Sequence, residues 1–310
     1  MKIDTMKAAI CTKYGGPEVI QIQKVERPTP KNDEILVKVM ATTINSGDVS
    51  VRALKTNGLK KLAMKFTFGF TKPRKSILGT VFSGTVEQIG NKVKNFNIDD
   101  EVFGVTGFKF GTHAEYLTIS EKKLVTKKPI NATFNQSASI LFGGQTAIYF
   151  LQKAKIQEKP NCKVLIIGAT GSVGSAAIQI AQYYKSVITT VCHSNDEEFI
   201  KTFNSNHFIF YNQEDFTKST LSYDIIFDAS GKFSKKQCAH LLNNGGVFKT
   251  VGGMEYATET IEQLEMLREL YENRKYQAVI DKIYQFDEIV EAHKHIDSGR
   301  KKGNTVIEMK

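Results

Sequence analysis

Glycines 168, 171 and 174 in KVLIIGATGSVGSAAIQIAQYY (163–184) are spaced to carry a phosphate-bearing dinucleotide. The unbroken apolar run at 164–167 reads as a strand buried on both faces of a parallel sheet, and Gly168 ends it. Glycines at such a turn let the backbone approach a pyrophosphate, and the helix opening there offers its N–H groups to the anion. Gly168, Ala169, Thr170, Gly171, Ser172, Val173 and Gly174 are therefore candidate cofactor contacts. Val173, Ala176, Ala177, Ile180 and Ala181 then recur at helical spacing, the context that the turn needs. The choice of dinucleotide lies about 20 residues further on, where a carboxylate would bind a ribose 2′-hydroxyl. TTVCHSNDEEF (189–199) places Cys192, His193 and Ser194 there, with no carboxylate to repel a 2′-phosphate, so NADP(H) is expected over NAD. Ser194 also stands at capping-box spacing from Glu197.

The elements that must position this turn follow a two-part plan. Short runs at 7–12, 35–41, 80–89 and 116–119, punctuated by turn residues, predict a β-rich first part, a distorted barrel or sandwich. From about 129 onward strands alternate with helical patterns, as in a parallel sheet built from βαβ units. Strands are expected at 187–191, 207–210, 224–227 and 247–251, and helices at 194–203, 234–242 and 258–273. The fold class is thus α/β, a Rossmann doubly wound sheet beside a β-rich domain.

The chain of 310 residues is 41% hydrophobic, with no bias toward disorder. No apolar run approaches the length of a membrane span and no signal-peptide core opens the chain, so a cytoplasmic protein with no membrane partner is expected. Cys11, Cys162, Cys192 and Cys238 lie far apart and read as core residues. The net charge of +10 is dispersed except at 55–75 and 122–128, so no specific nucleic-acid partner is expected. Those dense stretches suit long-range attraction of an anionic cofactor or substrate.

Several blocks together resemble a zinc-free medium-chain dehydrogenase/reductase of the quinone oxidoreductase (ζ-crystallin-like) branch. They include ATTINSGDV (41–49), GTHAEYLTI (111–119), GGQTAIYFL (143–151), YDIIFDASG (223–231) and LLNNGGVFKTVGG (241–253), besides the glycine turn. The resemblance implies a GroES-like substrate domain over 1–127, rejoined by about 274–310, and a Rossmann NADP-binding domain over 128–273. It implies a cleft between them for NADPH, with the segment 55–71 among its walls and FTFGF (66–70) as lid or core packing.

The alcohol-dehydrogenase branch of that family binds zinc, whereas here Asn45 replaces a cysteine ligand and Gly79, Thr80 and Val81 replace Gly-His-Glu. His113 is left as a lone histidine, and no metal site is expected. The resemblance makes Asn45 the hydrogen-bond donor to the substrate oxygen, with Asp48 bracing its loop; capping a turn is the other account of both residues. Arg52 matches a basic position at the cleft mouth, and a solvent-facing arginine fits equally. Ser50 stands where quinone reductases often carry tyrosine. Gln145 and Thr146 fall where the family lines the nicotinamide, Tyr211 where a tyrosine packs by the 2′-phosphate, and Asp228, Ala229 and Ser230 where the ribose passes. Gly252 and Gly253 follow the fifth strand at the same rim.

The expected activity is hydride transfer from NADPH to a small electrophile, a quinone or α,β-unsaturated carbonyl. The alternatives are an aldehyde or ketone reductase and a non-catalytic NADPH-binding protein, redox-sensing or RNA-binding. A missing sixth strand is expected at the sheet edge through which this family commonly dimerises, which leaves a homodimer open.

Overall fold

The computed structural model describes residues 4–54 and 58–309, so 55–57, the head of the expected wall segment, lie outside the described residues. By contacts the chain forms two compact units. The first reaches Leu141 and takes back Thr260–Arg268 and the segment from Ile280; the second holds Phe142–Glu259 and Glu269–Val279.

In the first unit, β1 (Thr5–Cys11) and β2 (Ile20–Glu26) form an antiparallel hairpin. The eleven-residue β3 (Glu34–Ile44) ends immediately before Asn45 and helix α1 (Ser46–Ala53), and α2 (Gly58–Phe68) follows. β4 (Val81–Ile89), β5 (Glu101–Val105), β6 (Tyr116–Ser120) and β7 (Val125–Lys127) complete the N-terminal strands. β3 pairs with β4 along one edge and with β6 along the first half of the other. Its inward residues Ile35, Val37 and Val39 meet Phe82, Val86 and Val102 in the core. Helix α3 (Phe134–Ser139) stays with this unit, because Ser83 Oγ donates to the Phe134 carbonyl at 2.6 Å. The unit therefore runs past the boundary near 127 that the sequence suggested.

The second unit opens with α4 (Leu141–Lys153) and carries β8 (Lys163–Ile167), α5 (Ser172–Tyr183), β9 (Val187–Cys192), α6 (Glu197–Lys201), β10 (His207–Phe210), β11 (Tyr223–Asp228), α7 (Lys235–Cys238) and β12 (Leu242–Thr250). The five strands are parallel in the order β10-β9-β8-β11-β12, so the chain starts in the middle and winds out both ways. The crossover lies between β8 and β11, the topological switch point at which such sheets bind ligands. Among the described residues nothing pairs with the outer edge of β12.

Two helices are shorter than their sequence patterns. The stretch expected as one helix over 194–203 is a 3₁₀ turn, Ser194–Asp196, followed by α6. α7 stops early because β12 starts at Leu242, paired to Tyr223, with Asn243 Nδ2 donating to Asp224 Oδ1 at 2.8 Å. The register then shifts between Tyr223 and Ile225, and Gly245 adopts φ +74° opposite that irregularity.

After α8 (Ile261–Glu272), the strand β13 (Ile280–Gln285), helix α9 (Ile289–Asp297) and strand β14 (Asn304–Glu308) return to the first sheet. There β14 lies antiparallel to the end of β3 that delivers Asn45. No helix among the described residues is long and apolar enough to cross a membrane.

Candidate functional site

Gly168 follows β8 with φ +77°, a conformation that residues with a Cβ rarely adopt. A Cβ there would sit 2.9 Å from that of Ser230, and one at Gly174 would run into the Gly168 carbonyl. Two of the three glycines are thus demanded by close approach of the turn, α5 and the loop after β11. Gly171 meets no such crowding; it is the N-cap of α5 and, as glycine, has no side chain with which to cap the first turn. A helix N-terminus whose N-cap is glycine, set against closely packed backbone at Gly168 and Gly174, fits a pyrophosphate.

α4 lies against this turn, since a Cβ on Gly143 would strike the Ser172 carbonyl. Sequence reasoning did not single out Gly143; the paired glycines that open GGQTA are its signal. Gln145 on the same helix is buried, and Thr146 Oγ1 donates to the Phe142 carbonyl at 2.8 Å.

The tip of β9, Cys192 to Ser194, holds no carboxylate. The His193 ring meets Tyr211 edge to face at 5.5 Å, and its Nδ1 accepts from the Asn195 N–H at 3.1 Å. The Ser194 N–H donates to Asn212 Oδ1, and Asn212 Nδ2 donates to Ser194 Oγ, both at 2.9 Å. The capping box between Ser194 and Glu197 does not form. The 3₁₀ turn moves the start of α6 to Asp196, whose side chain makes no cap, and the Ser194 hydroxyl goes to Asn212 instead. As an acceptor from Asn212, that hydroxyl keeps its own hydrogen to donate. Asn212 thereby joins the candidate site, and the sequence did not reveal it.

Asp228 ends β11 fully buried, and its carboxylate accepts from Ser230 N (3.1 Å), Ser230 Oγ (2.6 Å), Gly231 N (3.1 Å), Phe233 N (2.9 Å) and Thr250 Oγ1 (2.9 Å). Its role is to fold the rim. A Cβ on Gly252 would meet the Gly231 carbonyl, so the loops after β11 and β12 also touch backbone to backbone. Ala229 N donates to the Ile167 carbonyl at 2.9 Å, and Gly253 remains exposed at the same rim.

In the first unit, Asn45 caps α1 reciprocally. Its Oδ1 accepts from Gly47 N (2.8 Å) and Asp48 N (3.1 Å), while Asp48 Oδ2 accepts from Asn45 N (2.9 Å). The other Asp48 oxygen accepts from Gly79 N at 2.9 Å, and Asn45 Nδ2 donates to Thr80 Oγ1 at 3.0 Å. Gly79 has φ +85°, and a Cβ on it would strike His113 and Thr112. Asn45 is 2% exposed and Thr80 half-buried, so Thr80 is the more accessible residue of the pair. Burial pushes the Asp48 carboxyl above its usual range, against the pull of His113 and its two N–H bonds.

Arg52 does not face solvent. It is fully buried and donates through Nη2 to Asp297 Oδ2 at 2.6 Å, and its Nε and Nη1 have no hydrogen bond among the described residues. His293, one turn before Asp297 on α9, meets His113 edge to face at 6.1 Å, and neither of its ring nitrogens has a hydrogen-bond partner. Burial, with His113 and Arg52 nearby, holds its pKa well below 6.5. Burial likewise pushes the Cys11 thiol up to about 11. Among the described residues no three His, Cys, Asp or Glu side chains gather to hold a metal.

Residues 31–129 match the alcohol dehydrogenase GroES-like domain, and 253–307 match the zinc-binding dehydrogenase model. Over 256 residues the chain is 30% identical to "NAD(P)H oxidoreductase RTN4IP1, mitochondrial" of Dictyostelium discoideum, covering 78% of this chain and 70% of that protein. The chain belongs to the medium-chain dehydrogenase/reductase superfamily. This medium-chain dehydrogenase/reductase is an oxidoreductase, and two further relatives span nearly all of it. The "2-methylene-furan-3-one reductase" of Solanum lycopersicum is 28% identical over 319 residues, 97% of this chain and 79% of that one. The quinone oxidoreductase structure from Coxiella burnetii superposes with a TM-score of 0.89 at 27% identity, covering 99% of this chain and all of that one.

Proposed function

We propose that this medium-chain dehydrogenase/reductase reduces quinones or α,β-unsaturated carbonyls with NADPH and without zinc. The observation that carries this reading is the neutral Asn45–Thr80 hydrogen bond, at positions where the resemblance puts zinc ligands in the alcohol-dehydrogenase branch. A carbonyl oxygen that gains negative charge needs a donor there. Asn45 fixes Thr80 Oγ1 as an acceptor, which leaves the threonine hydrogen to donate to that oxygen. When bound, the nicotinamide supplies the hydride. The first turn of α5 would hold the pyrophosphate, and His193, Ser194, Tyr211 and Asn212 would receive the 2′-phosphate without an opposing carboxylate. A conjugated acceptor suits a site with no Lewis acid, because conjugation already activates its β-carbon. The tomato relative is named for a conjugated ketone and the Coxiella neighbour for a quinone, which supports the acceptor class.

The test is NADPH oxidation across a panel of quinones, enones and simple aldehydes, with NADH in parallel. Turnover of conjugated acceptors by NADPH is expected, undiminished after EDTA treatment. Thr80→Val should lower kcat/KM by about ten- to a hundredfold while the thermal shift by NADPH is kept. Faster turnover of simple aldehydes, no turnover at all, or activity restored by added zinc would each overturn the reading.

A further inference from the structure

The apolar stripe of α2 points outward. Leu62 and Phe66, one turn apart on α2, and Phe70, just beyond its end, are 48%, 59% and 51% exposed, and the two phenylalanine rings meet edge to face at 5.1 Å. Phe108, 70% exposed, lies 6.4 Å from Phe68, which itself packs on the core beside Phe110. Phe68 thus anchors a segment whose other aromatic residues face water. A helix of a water-soluble protein ordinarily turns such a stripe inward.

The chain segment that carries this stripe holds charge of one sign. No Asp or Glu occurs between 49 and 86, whereas Lys61, Lys65, Lys72, Arg74 and Lys75 lie on α2 or just beyond it. Lys61, Lys72, Arg74 and Lys75 are exposed, and none of the five forms an ion pair among the described residues. Outward phenylalanines among unopposed cations are the pattern of a helix that lies in the headgroup layer of an anionic bilayer.

We propose that α2 and residues 69–75, with Phe108, dock this protein on an anionic phospholipid membrane. The phenylalanines and Leu62 enter the layer, and the lysines and Arg74 meet lipid phosphates. The absence of a spanning helix among the described residues bears only on insertion, and surface docking departs from the expectation of no membrane partner. Stacked nucleic-acid bases fit less well: the edge of one phenylalanine ring closes the face of the other, and Leu62 offers no ring.

The full chain should co-sediment with vesicles of equal parts phosphatidylcholine and phosphatidylglycerol, and not with phosphatidylcholine alone. Phe66→Ser/Phe70→Ser and, separately, Lys61→Glu/Lys65→Glu should each weaken that binding about tenfold or more with thermal melting unchanged. No co-sedimentation of the wild type, or undiminished binding of the serine variant, overturns the proposal. So does a wild-type dimer that the serine variant dissolves, or binding to oligouridylate without binding to vesicles.

Discussion

The glycine turn of the second unit and the Asn45 pocket of the first become ordered by opposite means. The turn removes side chains. Gly168 and Gly174 let backbone meet backbone, and the feature proposed to bind is a helix end whose N-cap is glycine. The pocket instead buries side chains that carry or could carry charge: Asp48, Arg52, His113 and His293 are each no more than 1% exposed. The turn therefore depends on space and hardly at all on pH. The pocket depends on protonation states and on partners drawn from distant parts of the chain.

Three substitutions test that contrast. Asp297→Ala should have the largest effect, because it leaves the buried Arg52 guanidinium without its carboxylate. A loss of about 3–5 kcal/mol in denaturant unfolding is expected. If the variant melts like the wild type, the pocket does not depend on its charges.

Gly174→Ala should cost about 1–3 kcal/mol, since its methyl group runs into the Gly168 carbonyl. Its signature is a loss of dinucleotide affinity greater than tenfold in fluorescence titration, which Asp297→Ala should not share. Equal losses of affinity in both variants would erase the distinction.

The smallest effect concerns pH. His293 is neutral when folded and protonates near 6.5 when unfolded, so the unfolded chain binds more protons as pH falls. Stability should therefore fall below that pH, with a limiting slope of about 1.4 kcal/mol per pH unit. His293→Leu should flatten the fall in denaturation midpoint between about pH 7 and 5. An unchanged slope would remove His293 as its source.

The same contrast governs what was legible in the sequence. Glycine spacing encodes backbone geometry locally, so the turn at 168–174, its strand and its helix could be read directly. Asn45 and Asp48 were also legible as a cap, because the partners stand three residues apart. The Arg52–Asp297 pair spans 245 positions, and nothing local in either segment announces it. Ser194 shows a subtler failure. Its spacing to Glu197 satisfies the capping rule, but Asn212 from the adjacent strand end competes for the hydroxyl and wins. The outward stripe of α2 was visible as FTFGF, while its direction was not: only tertiary packing sends Phe68 inward and Phe66 and Phe70 to solvent.

The five hydrogen bonds that converge on Asp228 have a consequence in time as well as in shape. They tie the amides of Ser230, Gly231 and Phe233 to one carboxylate, so these amides should exchange with solvent deuterium far more slowly than the exposure of their loop suggests. A rim held this way is ordered before any ligand arrives. Association of a ligand at that edge would then lose little chain entropy, and its dwell time would be set by its own contacts rather than by loop opening.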